Sequence, residues 1–352
     1  MAFETDIVVL PGPVMAAGGL ASADAVERRK SMKKRLVSLI KLAVMIAVFA
    51  FVFIKLKAAW HTVGSHPVHI AWRYTPLMLL GFVGLMLTNA LTWRWLAWRM
   101  GDRTRTMPLL ASYVFSQAGK YAPGKAFLVL LRLERTHRAG MSRETCLLST
   151  LLENAMYTLS GALLGATALL LVSRDHPIYI VLCCAMIGSL LTLFHPKVFF
   201  GIVNMALKSM KRAPISPHRR FRLVDMVLAV MMFMPCWFFG GLALWASVRS
   251  LHHISLVVWP EMAAVFALSV SLGMFSMLPG GLGVREGVQA LFLTPLLGSG
   301  ELVIVAVALP RVFQIAVEMT CALIGGIATS RLPQVPTPAA TVPAVADHLP
   351  TQ

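Results

Sequence analysis

The chain alternates between long apolar runs and short polar segments that are mostly basic. Six runs are long enough to cross the roughly 30 Å hydrocarbon core of a bilayer as helices. They cover residues 36–54, 75–98, 147–172, 177–194, 226–248 and 301–328. This pattern predicts an all-α integral membrane protein with about six spanning helices.

Two further apolar stretches, 109–131 and 256–297, are each interrupted in the middle by a proline and glycine. The interruptions are Pro123-Gly124 in the first stretch and Pro279-Gly280 in the second. Proline lacks the backbone donor that a helix interior needs, and glycine weakens a helix. Each stretch is therefore predicted to form two half-helices around a turn.

The basic residues indicate whether these two stretches cross the membrane or turn back. If both turn back as re-entrant hairpins, the cytoplasmic segments carry twenty Lys and Arg residues and the outer segments carry five. If 109–131 crosses instead, the count is eleven inside and fourteen outside. The positive-inside rule favours the first arrangement. The hairpins then enter from opposite faces, both termini are cytoplasmic, and the two halves form an inverted-topology repeat.

This topology divides the chain into four parts. Residues 1–35 form a predicted disordered, basic cytoplasmic segment without the pattern of a signal peptide, and Met32 is an alternative start. The first membrane repeat covers 36–176 and the second covers 177–330. Residues 331–352 are rich in Pro and Ala and are predicted to be a disordered tail.

Composition supports the membrane assignment. Hydrophobic residues make up 57% of the chain, charged residues only 13%, and the mean hydropathy is +0.73. The net charge of +17 comes from basic loops, which favours contact with anionic lipid headgroups over nucleic acid binding. Trp93, Trp95 and Trp98 are interpreted as part of an interfacial aromatic belt.

No metal or other cofactor is predicted. The five cysteines lie in or beside apolar runs without zinc-ligand spacing. The spacing from Gly119 to Lys125 is that of a P-loop, but Ala126 stands where the magnesium-binding Ser or Thr would be, and no strand pattern precedes it. An ATPase is therefore excluded.

The first hairpin contains a candidate anion site. Lys120 and Lys125 flank its turn, Arg132 follows, and the half-helix after the turn directs its free N–H groups and positive dipole end there. A phosphate is the most natural guest. In the alternative, both lysines snorkel to the cytoplasmic interface and only anchor the hairpin. Ser116 and Gln117 add polarity that anchoring does not require.

The second hairpin places Arg285 and Glu286 at the start of a half-helix, directly after a glycine-rich turn that permits close backbone approach. The alternative is an ordinary loop with a solvated ion pair. In the last run, Arg311, Gln314 and Glu318 recur at helical spacing and form a polar stripe, which we expect to face the protein interior.

Glu153 lies about two turns into the run 147–172. Two roles remain open for it. It either pairs with Arg132 or Lys120 as part of the structure, or takes part in transport or proton coupling.

The two hairpin sequences carry a family resemblance. Lys120-Tyr121-Ala122-Pro123-Gly124-Lys125, followed by Arg132 and Glu153, is similar to the K-Y-x-P-G-K…R…E signature of the lysylphosphatidylglycerol synthase transmembrane family. The segment from Pro279 to Glu286 resembles the family's P-G-G-x-G-x-R-E sequence, and Arg311 matches a late arginine. The likeness covers roughly residues 36–330.

The resemblance implies a flippase-like protein that moves anionic, aminoacylated or polyprenyl-linked lipids between leaflets, and some stand-alone members are associated with hopanoid lipids. The synthases of the family also carry a soluble aminoacylating domain. A disordered tail is expected after the last run here, so we expect lipid translocation or binding and no such enzymatic activity.

The predicted function is a flippase-like lipid transporter in a bacterial cytoplasmic membrane, with an anionic headgroup as its ligand. The predicted headgroup-binding residues are Lys120, Tyr121, Gly124, Lys125, Arg132, Gly280, Gly281, Arg285 and Arg311. Glu153, Glu286 and Glu318 are predicted to balance these charges or relay protons. Two alternatives remain: an intramembrane lipid-modifying enzyme, and a non-transporting partner of a lipid- or hopanoid-synthesis enzyme.

Overall fold

The fold is seen in a computed structural model of the chain. It describes residues 69–121, 126–172, 195–209, 221–276, 279–281 and 283–330, with isolated positions in 181–192 and Ile215. These residues form nine α-helices and no β-strand. The helices are α1 (Thr75–Arg99), α2 (Thr106–Ser116), α3 (Ala126–Arg138), α4 (Arg143–Val172), α5 (Pro196–Ser209), α6 (Leu223–Leu251), α7 (Trp259–Phe275), α8 (Val284–Leu297) and α9 (Gly300–Ser330).

Four helical segments are both long and apolar enough to cross a membrane: Trp72–Arg99, Leu223–Leu251, Leu256–Phe275 and Gly300–Ser330. Three of them coincide with predicted runs, and the 30-residue helix α4 coincides with a fourth. The chain is therefore confirmed as a multi-helix membrane protein. The run 36–54, most of 177–194 and the terminal segments 1–35 and 331–352 lie outside the described residues.

The two predicted interruptions are present. Helix α2 ends at Ser116 and continues as a 3₁₀ turn, Gln117–Tyr121, before α3 begins at Ala126. Helix α7 ends at Phe275, and the 3₁₀ turn Pro279–Gly281 precedes α8. In each case the two helices pack against each other. At 1.5 Å per residue α2 is about 16 Å long, and the 3₁₀ turn adds about 10 Å, so the segment 106–121 is somewhat shorter than the roughly 30 Å hydrocarbon core.

The second pair is less symmetric than the sequence suggests. Its first member continues from the 3₁₀ turn Leu256–Val258 into α7, so the helical segment Leu256–Phe275 contains 20 residues. Such a segment is about 30 Å long, so the first member of this pair is longer than the half-helix that the sequence predicts and reaches about the depth of the hydrocarbon core.

The long helices of each half of the chain pack against helices of the other half. Helices α1 and α6 contact each other along their length, while α4 packs against α7 and α9 packs against α2. Each long helix that follows one broken pair thus contacts the first member of the other pair. Gly325 permits the close approach of α9 to α2, since a Cβ atom there would lie 2.5 Å from the carbonyl oxygen of Ala111.

A proline interrupts the backbone bonding of α9 just before the polar stripe. Pro310 has no N–H group, so it cannot donate to the carbonyl of Ala306 four residues earlier. Instead, the hydroxyl of Ser247 on α6 donates to the Ala306 carbonyl oxygen over 2.8 Å, at a fully buried position. A neighbouring helix thereby satisfies the acceptor that proline leaves unpaired in an apolar environment.

Candidate functional site: an internal charged cavity

The polar stripe of α9 faces the protein interior, as predicted. Arg311, Gln314 and Glu318 are all buried. They form a chain of hydrogen bonds along the helix, in which the Gln314 side chain donates to Glu318 Oε1 over 2.8 Å and accepts from Arg311 Nη1 over 3.2 Å. Both broken helix pairs contact this row of hydrogen-bonded side chains.

The turn of the first pair, which we call its tip and which includes Gln117–Tyr121, is bound by Glu318. The Lys120 ammonium donates to Glu318 Oε1 and the Tyr121 hydroxyl donates to Glu318 Oε2, each over 2.6 Å. With Gln314, the carboxylate accepts three hydrogen bonds, an arrangement that stabilises its ionised form. Lys120 therefore points into the protein, and the snorkelling alternative is wrong for this residue.

The tip of the second pair, which includes the turn Pro279–Gly281, is bound by Arg311. Its Nη2 donates to the carbonyl oxygen of Gly280 over 2.6 Å, and its Nε lies 3.3 Å from Glu286 Oε1. The other carboxylate oxygen, Glu286 Oε2, accepts from the backbone N–H of Gly283 over 2.7 Å at the start of α8. Glu286 thus pairs with Arg311 instead of its neighbour Arg285, and the alternative of a solvated Arg285–Glu286 pair is wrong.

Arg285 is buried, with 8% of its surface exposed. Its Nη2 donates to Gln314 Oε1 over 3.3 Å, and its guanidinium lies 5.4 Å from the centre of the Phe266 ring. Its Nε atom is buried without a hydrogen-bond partner. No carboxylate of the described residues lies within 4.0 Å of this guanidinium.

The turn glycines make room for Arg285. Gly281 has a φ of +70°, and a Cβ atom there would lie 3.0 Å from Arg285 Cδ. Gly273 on α7 lies on the other side of the same stem, where a Cβ atom would lie 2.6 Å from Arg285 Cγ. The glycines therefore provide both the positive φ and the space that the arginine stem occupies.

Arg132 forms a second cluster with α4. It is 1% exposed and forms an ion pair with Glu153, which settles the partner of Glu153 among the alternatives that the sequence left open. Its remaining hydrogen bonds are made to the Ser116 hydroxyl over 3.1 Å and the Thr150 hydroxyl over 3.4 Å. Tyr113 donates its hydroxyl hydrogen to the other oxygen of Glu153.

Aromatic rings enclose the Arg132 guanidinium. It lies 4.2 Å from the ring centre of Tyr113 and 5.2 Å from that of Trp93. Trp93 is fully buried, so its interpretation as an interfacial residue is wrong. No local pattern in the sequence predicts that Trp93 lies beneath a buried cation. An interior position of Tyr113 could have been predicted, because Tyr113 precedes Ser116 and Gln117 at helical spacing within an apolar run.

A cavity of about 600 Å³ connects the two clusters. Seven predicted site residues line it: Lys120, Arg132, Glu153, Gly280, Gly281, Arg285 and Glu318. Tyr121, Glu286 and Arg311 are not among its lining residues and instead hold the tips in place. Gly124 and Lys125 lie outside the described residues.

The remaining lining is mixed. Leucine, valine and methionine side chains from α1, α3, α4 and α7 form apolar walls, and Asn89, Gln117 and Asn154 add neutral polar groups. Two of the wall residues on α4, Leu147 and Leu151, are 38% and 45% exposed. The cavity therefore combines fixed charges with surfaces suited to hydrocarbon.

These features define a polytopic helical membrane protein with a charged cavity between two broken helix pairs. The family model described as the lysylphosphatidylglycerol synthase TM region matches residues 38–320. The chain therefore belongs to the lysylphosphatidylglycerol synthase transmembrane-region family, as the two hairpin sequences predict. Comparison with curated proteins gives no match.

Proposed function

We propose that the protein is a flippase-like transporter that binds the headgroup phosphate of an anionic or polyprenyl-linked lipid at the tips of its broken helix pairs. The observation that carries this proposal is the cavity itself. It places Lys120, Arg132 and Arg285 around one space whose walls also contain aliphatic side chains from four helices. A lipid has the same division into a charged and an apolar part.

The physical requirement of transport is to replace the hydration of the headgroup. Moving an isolated charge into an apolar medium is strongly unfavourable unless other charges or dipoles compensate for it. Here Glu318 and Glu153 fix the orientations of Lys120 and Arg132 in advance, so the protein need not reorganise these cations to accept an anion. The carboxylates thus act as positioning groups in the proposed cycle.

We further propose that both broken pairs re-enter the membrane from opposite faces. Three observations support this topology. The helical segment 106–121 is shorter than the hydrocarbon core, the ring of Tyr121 lies beside Gly280 so that the two tips meet, and the packing of α4 on α7 and of α9 on α2 fits an inverted repeat. We also propose, from the distribution of basic residues in the sequence, that the chain lies in a bacterial cytoplasmic membrane with both termini on the cytoplasmic side.

Transport agrees better with the described residues than intramembrane catalysis does. An enzyme acting on a lipid phosphate would need a free nucleophile or a pair of carboxylates for a metal. Glu153 and Glu318 are each committed to a cation instead, and they hold different cations in different clusters. We therefore propose that the protein is not an enzyme.

The direct test is lipid movement in proteoliposomes. Vesicles containing a fluorescent phosphatidylglycerol are treated with a membrane-impermeant quencher, and the rate at which inner-leaflet label becomes accessible is measured. We expect the wild type to accelerate this movement and a Lys120→Ala, Arg285→Ala double variant to abolish the acceleration. Arg138→Ala, which removes an exposed cation outside the cavity, is the matched control. Equal rates for the wild type and the double variant would refute the proposal.

A further inference from the structure

We propose that the cavity selects lipids whose headgroup is a phosphodiester with one negative charge, and that Arg285 is the residue that contacts this phosphate. The inference rests on the proposed function and specifies its substrate class. It separates Arg285 from the other three cations of the site, each of which already has an anionic partner.

The charge of the cavity is the first argument. Among the described residues that line it, three are cations, Lys120, Arg132 and Arg285, and two are carboxylates, Glu153 and Glu318. Each carboxylate forms an ion pair with a cation and accepts a hydrogen bond from a tyrosine hydroxyl, so each is counted as one negative charge. The described lining residues therefore carry a net charge of +1. Arg311 and Glu286, which lie behind it, form a pair and leave this value unchanged.

The position of the excess charge is the second argument. Lys120 pairs with Glu318, Arg132 with Glu153 and Arg311 with Glu286. Within the described part of the chain, Arg285 alone of these four cations has no carboxylate within 4.0 Å. Its Nε is buried without an acceptor, as is the Nε of Arg311, but the charge of Arg311 is matched by Glu286. A buried cation without an anion is costly, and a bound phosphate would supply the missing charge and acceptors.

The net charge of the described lining and the missing partner of Arg285 together predict that the cavity discriminates between lipids by the charge of their headgroup. A phosphodiester monoanion brings the cavity to neutrality with Arg285 satisfied. A phosphomonoester dianion adds a second negative charge beside Glu153 and Glu318, which leaves an anion uncompensated. A zwitterionic headgroup brings an ammonium group into a cavity that already has an excess of positive charge. Each mismatch is one unit of charge in a partly desolvated space.

The experiment compares three fluorescent lipids in the proteoliposome assay: phosphatidylglycerol, phosphatidate and phosphatidylethanolamine. The pH is set at about 8, well above the second pKa of a phosphomonoester, so that phosphatidate is a dianion. For the wild type we expect the monoanion to move at least about tenfold faster than the other two lipids. The measured quantity is the ratio of rates, which does not depend on the fraction of protein that folds correctly.

Charge-changing variants should move the preference in opposite directions. Glu318→Gln raises the net charge of the lining to +2, and Glu153→Gln does the same from the other cluster, so both should shift the ratio by about tenfold towards phosphatidate. Arg285→Gln lowers the net charge to zero and should abolish the preference for phosphatidylglycerol over phosphatidylethanolamine, while Arg285→Lys should retain it. Arg138→Gln, an equal charge change at an exposed position, should leave every ratio unchanged.

The outcomes separate the two proposals. If no lipid moves faster than in protein-free vesicles, transport and selection both fail. If lipids move but the three headgroups do so at equal rates, or the ratios of the Glu318→Gln and Glu153→Gln variants equal those of the wild type, selection by charge is refuted while transport stands. Preference for the monoanion that survives Arg285→Gln would overturn the assignment of the phosphate contact to Arg285.

Discussion

Replacing Glu153 with glutamine should destabilise the protein strongly although the shape of the side chain is kept. Arg132 is 1% exposed, and Glu153 is its only anionic partner among the described residues. The substitution leaves a buried guanidinium without a counterion. Breaking a buried ion pair from one side costs about 3–5 kcal/mol, much more than the pair itself contributes relative to apolar residues.

The structure places the expected cost near the lower end of this range, at about 3 kcal/mol. After the substitution Arg132 keeps its hydrogen bonds to the hydroxyls of Ser116 and Thr150 and its contacts with the rings of Trp93 and Tyr113. These neutral and aromatic partners stabilise a cation partly, since each contributes on the order of 1 kcal/mol.

A double variant distinguishes a stranded charge from a simple packing defect. Arg132→Met combined with Glu153→Gln removes both charges, so we expect it to be more stable than Glu153→Gln alone. The free energy of unfolding is measured by titrating folded protein in mixed micelles with a denaturing detergent, followed by tryptophan fluorescence. The matched control is Glu134→Gln, which breaks an exposed ion pair with Arg138 and should cost well under about 1 kcal/mol. A loss below about 1 kcal/mol for Glu153→Gln would refute the reasoning, as would a double variant no more stable than Glu153→Gln.

Three further predictions concern the turn, the kink and the topology. Gly281→Ala introduces a methyl group at a φ of +70° and should slow lipid movement at least about tenfold, whereas Gly287→Ala, in open space, should leave the rate unchanged. Ser247→Ala removes the donor to the carbonyl that proline frees in α9, and detergent titration should show a loss of about 1–3 kcal/mol, with an unchanged midpoint contradicting this account. Cysteines introduced at Arg138 and Arg212 should both react with an impermeant reagent only from the cytoplasmic side, and labelling of both sites only from the outer side would disprove the re-entry of the first pair.

The sequence alone predicts the helices well because their signals are local. The run 75–98 is found as α1, Thr75–Arg99, and the run 226–248 as α6, Leu223–Leu251. Continuous apolar character is sufficient to define such segments. The stripe on α9 is also a local signal, since three polar residues at helical spacing in an apolar run have only the interior to face.

The partners of the buried charges could not be predicted in the same way. Lys120 and Glu318, which form an ion pair, are 198 residues apart in the chain. Glu286 forms its ion pair with Arg311 and not with its sequence neighbour Arg285. Which of several nearby carboxylates a cation meets depends on the axial register of packed helices. That register is set by contacts such as the approach of Gly325 to α2, which no periodicity reveals.

The hydrogen bonds of α9 indicate which part of the site moves when an anion enters. Gln314 Oε1 accepts from both Arg285 and Arg311, over 3.3 and 3.2 Å, whereas Arg311 holds the Gly280 carbonyl over 2.6 Å. The two long bonds to a neutral amide oxygen are weaker than hydrogen bonds between a guanidinium and a phosphate, in which donor and acceptor are both charged. A guest should therefore draw the Arg285 side chain away from Gln314 while the turn at Gly280 stays attached to α9. Binding of the headgroup then begins with a movement of the Arg285 side chain alone. The two tips need to separate only when the bound lipid leaves the cavity.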